Sequence, residues 1–206
     1  MRVLMVAPPG AGKGTQGAAI AAHFRIQHLA VGDLLRRHVL EGTEIGRDVR
    51  GHLDRGELVP DGIVLELLRQ GLTEAKRNGG GYVLDGIPRT MDQAVAAYRV
   101  ALALGMTADV ALHLEAGDEE LMRRLRKRAA IEHRSDDDEA VIRRRLQQYH
   151  EVTQPVLAFY AQRGILLTVD ATPPADVVTR DVLAALTARA ARTGAAGRVP
   201  GTHRPG

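Results

Sequence analysis

The stretch VAPPGAGKGTQ, residues 6–16, constrains this chain more than any other. Val3 to Ala7 is a short apolar run that stops at Pro8-Pro9-Gly10, as a buried strand does on entering a loop. Past the loop, Gln16 to His23 is alanine-rich and helical in character. A strand, a glycine-rich turn and a helix in that order form a ready anion cradle. Gly10, Gly12 and Gly14 let several N–H groups turn inward, and the helix N-terminus adds a field that favours phosphate. Lys13 can reach β and γ phosphates, and Thr15 stands where a hydroxyl meets a magnesium–phosphate assembly. The plainer reading is a flexible glycine turn with a surface lysine.

Two positions depart from the strict P-loop pattern. Ala7 stands where that pattern has glycine, and Gly14 follows the lysine where it has Ser or Thr. Ala7 does harm only if its position needs a positive φ, and the last residue of a strand does not.

The rest of the chain alternates strand and helix. Strands are predicted over Arg2–Ala7, Arg25–His28, Tyr82–Ile87, Asp109–Glu115 and Ile165–Val169. Between them, Gly32–Arg55 reads as one or two short amphipathic helices broken at EGTEIG. Ile63–Leu72 has apolar residues at helical spacing, the Gly79-Gly80-Gly81 run ends that helix, and Met91–Leu104 is helical. The expected class is α/β, with a P-loop NTPase-like core: a central five-stranded parallel sheet flanked by helices. Beyond Ala188 the sequence has little to bury and is expected to form a loose tail.

Composition excludes several alternatives. With no cysteine among 206 residues there is no disulfide, no cysteine nucleophile and no thiolate metal site. Two Phe, four Tyr and no Trp supply few stacking platforms for single-stranded nucleic acid, and a formal charge of +3 argues only weakly for a polyanionic or membrane partner. The apolar run in MRVLMVAPPG is too short for a signal peptide, and no stretch is long enough to cross a bilayer. The expected location is cytoplasmic.

PGAGKGTQ, GDLLR, ELVPD, LDGIPRT with Gln93, and RRRLQQY occur in the order and approximate spacing of the adenylate kinase family, within the nucleoside monophosphate kinases. The chain resembles that family over roughly Met1 to Val177. The resemblance implies one kinase domain over 1–187, with core segments 1–29, 60–123 and 140–187, an acceptor-binding insertion at 30–59 and a lid at 124–139. Residues 188–206 form the tail.

The resemblance also implies roles. Gly10, Ala11, Gly12, Lys13, Gly14 and Thr15 hold the donor triphosphate. Asp33 and Asp85 resemble the aspartates near magnesium-bound water. Arg36 and Arg89 resemble ligands of the acceptor phosphate, and the backbone of Glu57, Leu58 and Val59 borders the acceptor base. Gly86 and Val31 belong to the same acceptor site. Gln93 resembles the glutamine that recognises adenine in the acceptor, where relatives acting on pyrimidines usually carry another residue. Arg124 is expected nearest the donor or transferring phosphate, with Arg128, Arg134 and Arg145 closing around it. Asp136–Asp137 match an aspartate pair, and Thr172 lies in a segment near the donor adenine. Taken alone, Asp33 also reads as a helix cap and each arginine as part of a solvated face.

Between Arg128 and Asp136 there is room only for a short lid, and without cysteine it cannot carry the family's cysteine-ligated zinc. Ala30-Val31 replaces the common Ser/Thr pair before GD, which removes a hydroxyl near the acceptor adenine. The implied activity is reversible, direct in-line transfer from Mg·ATP to AMP, giving two ADP, by a monomer without nucleic-acid or membrane partners. The alternatives are a kinase for UMP, CMP or GMP, and a nucleotide-binding protein without turnover. A basic RNA-binding protein using Arg143 to Arg145 and the tail is the remaining rival.

Overall fold

A computed structural model describes residues 1–132 and 138–196. In chain order its elements are β1 (Arg2–Val6), α1 (Lys13–Phe24), β2 (Gln27–Ala30), α2 (Val31–Leu40), α3 (Glu44–Asp54), α4 (Asp61–Arg77), β3 (Tyr82–Asp85) and α5 (Met91–Leu104). There follow β4 (Val110–Glu115), α6 (Asp118–Glu132), α7 (Glu139–Gln148), a π-helical turn (Tyr149–Thr153), α8 (Val156–Gln162), β5 (Leu166–Asp170) and α9 (Ala175–Ala196). The five strands form one parallel sheet in the order β2-β3-β1-β4-β5. Val3 of the central strand pairs with Val83 on one side and Val110 on the other.

Both faces of the three inner strands are covered, which is why β1, β3 and β4 read as largely apolar runs. Leu4 and Val6 point into one core with Leu84, Leu68 of α4 and Phe159 of α8. Val3 and Met5 point into the other, with Ile20 of α1, Leu125 of α6, Leu146 of α7 and Val182 of α9. Leu125 is fully buried, and cutting such a leucine to alanine costs about 2–5 kcal/mol. β1 connects outward to β2, while β4 connects the opposite way to β5. Ligand crevices in open α/β sheets lie beyond the carboxyl ends of strands where connections diverge in this manner.

Four expectations need adjusting. β2 starts at Gln27 rather than Arg25, because Arg25 closes α1 in the left-handed conformation, at φ 54°, and cannot lie in a strand. α1 starts at Lys13 rather than Gln16, so the lysine and Thr15 belong to the helix's first turn. The expected tail begins inside α9, which runs on through Ala196, and Val178, Val182 and Leu186 bury one of its faces at i, i+4 spacing. Residues 124–132, read as the start of the lid, are the continuation of α6. The insertion at 30–59 forms two helices, broken at Gly42, with Thr43 capping α3 by accepting from the Gly46 N–H.

Candidate active site

The loop between β1 and α1 needs glycine at two points. Gly10 and Gly12 both have φ 86°, and a Cβ at Gly10 would sit 3.0 Å from the Leu121 carbonyl oxygen and from Leu125. Ala7 is different. Among the described residues Arg25 alone, glycines aside, has a positive φ, so Ala7 tolerates a methyl group, which it buries in the core beside Ala11. Its carbonyl accepts from Lys13. Gly12 gives α1 no side-chain cap, and the first turn carries no acidic residue, so the N–H groups of Lys13 to Thr15 remain available to an anion.

Lys13 Nζ donates to the carbonyls of Ala7, at 2.9 Å, and Pro8, at 3.0 Å. Burial pushes its ammonium down to about 8; Arg89, Arg145 and Arg128 press the same way, and Asp85 opposes them. A buried lysine with three arginines around it suits an anionic ligand. Those three arginines line one cleft of about 430 Å³ with the glycine loop, Thr15, Asp33, Arg36, Asp85 and Arg124.

Asp85 ends β3 at the cleft. Its Oδ1 is buried and takes no hydrogen bond from the described residues. Asp33, in the first turn of α2, pairs with Arg36 one turn on. Arg89 is fixed on three sides: its N–H donates to Gln93 Oε1 at 2.8 Å, its carbonyl accepts from Thr153 Oγ1 at 2.8 Å, and its Nε donates to the Gly86 carbonyl at 3.0 Å. Thr153 belongs to the π-helical turn, a rare geometry that often marks functional positions. Tyr149 of the same turn is held by His113 of β4, at 2.9 Å.

The residues assigned to the acceptor gather at a second, smaller pocket. Val31, Arg36 and Gln93 line it, as do Glu57, Leu58 and Val59 from the loop after α3. Arg36, Gly86, Arg89 and Arg145 line both pockets, so the two communicate. A Cβ on Gly56 would come to 3.0 Å from Arg145, which shows how closely the insertion packs on α7. The Glu57 carboxylate is held below its usual range chiefly by the hydrogen bond from Arg55.

Arg124 is held by its own helix and by the loop after β5. Its guanidinium bonds to Glu120 at 2.6 Å and to the carbonyls of Thr172, at 2.9 Å, and Pro173, at 3.1 Å. Arg124 thus lines the cleft beside the 172–173 loop, where the loop carbonyls and Glu120 hold its guanidinium. Arg134, His133 and the Asp136–Asp137 pair lie outside the described residues. Three residues that brace the site, Thr153, Tyr149 and Asp61, receive no role from sequence reasoning. Asp61 accepts from a side chain 32 residues further on, and an acid in a proline turn gives no local sign of that. Among the described residues no group of three or more His, Cys, Asp or Glu is placed to hold a metal ion directly.

A cleft that gathers a lysine and several arginines around a helix N-terminus, and opens into a second cation-lined pocket, is suited to passing a phosphoryl group between two bound anions. The class is that of the P-loop phosphotransferases. The model of the family described as adenylate kinase matches residues 5–165. The chain is 44% identical over 190 residues to the adenylate kinase of Thermobifida fusca (strain YX), across 92% of this chain and 100% of that protein. It is 42% identical over 184 residues to the adenylate kinase of Thermus thermophilus, across 89% and 96%. It is 44% identical over 186 residues to that of Maricaulis maris (strain MCS10), across 90% and 98%. The chain belongs to the adenylate kinase family.

Proposed function

We propose that the chain transfers the terminal phosphoryl group of Mg·ATP directly and reversibly to AMP, giving two ADP. The observation that carries this reading is the continuity of the two pockets through Arg36, Arg89 and Arg145, which gives a donor and an acceptor phosphate a shared set of cations. The glycine loop and the α1 N-terminus hold the donor's phosphates, and Lys13 leaves the Ala7 and Pro8 carbonyls to meet them. Arg89 and Arg36 hold the acceptor phosphate, while Arg128 and Arg145 compensate charge on the equatorial oxygens in transit. Arg134 completes that set by family resemblance. Arg124 and the Thr172 carbonyl border the donor base. The acceptor is already an anion, so no side chain must take a proton from it.

The buried, unpartnered Oδ1 of Asp85 suits a magnesium-bound water, and Asp33 and the Thr15 hydroxyl line the same cleft. When bound, magnesium neutralises charge between the β and γ phosphates. Among the described residues no helix is long and apolar enough to cross a membrane.

The test is ADP formation from Mg·ATP with AMP, UMP, CMP and GMP in turn, with Lys13→Ala as the blank. AMP-dependent ADP that vanishes in the variant is the expected result. Turnover of another monophosphate in preference to AMP would move the acceptor assignment, and silence with all four in folded, ATP-binding protein would overturn the reading.

A further inference from the structure

Gln93 sits at the third position of α5, where Thr90 Oγ1 accepts its backbone N–H at 3.0 Å. Its side chain, 2% exposed, is caught between two groups that each permit only one kind of bond. The Arg89 N–H can only donate, so the amide atom 2.8 Å from it is the oxygen. The Asp61 carboxylate accepts, so the atom 2.7 Å from its Oδ1 is the nitrogen. We infer that Asp61, through this bond, locks the orientation of the Gln93 amide and so makes the acceptor pocket select a 6-aminopurine monophosphate over a 6-oxopurine one. The inference rests on the assignment of Gln93 to the acceptor base.

The reason lies in the order of donors and acceptors. After its two protein bonds the amide retains one Nε2 hydrogen and one Oε1 lone pair. Adenine presents a donor at position 6 and an acceptor at N1, whereas hypoxanthine and guanine present an acceptor at position 6 and a donor at N1. A glutamine free to turn over would match either edge equally well. Here, turning it over would set Nε2 against the Arg89 N–H and Oε1 against the Asp61 carboxylate. That is two buried mismatches in place of two hydrogen bonds. Asp61 is thus a positioning residue that acts through Gln93. It comes from the first turn of α4, 32 residues away in the chain.

The experiment measures kcat and KM for AMP and IMP, which differ only at position 6 and N1, in the wild type, Asp61→Ala, Asp61→Asn and Gln93→Ala, with the Tm of each. Asp61→Ala is expected to narrow the AMP:IMP ratio of kcat/KM by about five- to tenfold, through KM for the acceptor with KM for ATP unchanged. Asparagine keeps an oxygen acceptor but not the charge, so Asp61→Asn is expected to retain the wild-type ratio within about twofold even if its Tm falls. An unchanged ratio in Asp61→Ala overturns the inference, and so does an equal loss for AMP and IMP, which a merely structural role would produce. The Gln93→Ala variant separates the two levels. If it handles AMP as the wild type does, the base-reading role of Gln93 fails and this inference with it. If it loses AMP while Asp61→Ala keeps its ratio, only the lock is refuted.

Discussion

The donor side and the acceptor side of the cleft are built from different materials. Around Lys13 the partners are backbone: two carbonyls hold the ammonium, and the N–H groups of an uncapped helix face the phosphate site. Around the acceptor pocket the partners are side chains, with Gln93 fixed by Asp61 and Val31 lining the wall. A backbone site tolerates exchange of a side chain that points elsewhere, so Ala7 in the place of glycine leaves the loop intact. A side-chain site does not, and Val31, which lacks a hydroxyl, lines the wall of the proposed acceptor pocket.

Lys13→Ala breaks the donor side most severely. Removing one charged donor from a preorganised site costs about 10²–10³ in turnover, and steady-state assays on protein with an unchanged circular dichroism spectrum check it. Next comes a paired test of the backbone claim. Gly10→Ala forces a Cβ into the left-handed region and against the Leu121 carbonyl, which costs roughly 1–3 kcal/mol and several degrees of Tm. Ala7→Gly, by contrast, is expected to cost no more than about 1 kcal/mol and to leave KM for ATP unchanged. Equal effects from the two would end the distinction between the two glycine-pattern positions. On the acceptor side, Val31→Thr restores a hydroxyl and is expected to lower KM for AMP about two- to tenfold, matching roughly 0.5–1.5 kcal/mol for one hydrogen bond. No change there would place the hydroxyl outside the acceptor's reach.

The smallest effect is a pH dependence. In the free protein the Lys13 ammonium is lowered to about 8, chiefly by burial, and a bound polyphosphate raises it again. Binding above pH 8 must therefore take up a proton, and affinity falls as pH rises through that value. Between pH 7 and pH 8 the loss is about twofold. Calorimetry in buffers of different ionisation enthalpy should detect the uptake, and Lys13→Ala should abolish it.

The parallel sheet and the loop at the head of α1 are legible in the sequence because their signals are local. Apolar runs mark strands buried on both faces, and glycines mark positive φ. Family motifs in order single out Val31 and Arg36 of α2 and Gln93 of α5, which line one pocket. Register at the element ends is less legible, since nothing in the letters around Arg25 announces a left-handed residue there.

What the sequence determined by itself is the class of fold, the phosphate loop and the kind of cation gathered around it, since each depends on neighbours within a turn or a strand. Only the tertiary structure decided where the guanidinium of Arg124 rests, how Arg89 is braced and which way the Gln93 amide faces. Their partners lie 48, 64 and 32 residues away. A hydrogen bond over such distances exists only once the fold has brought the segments around β3, β4 and β5 together, and its direction is set by what waits there to donate or accept.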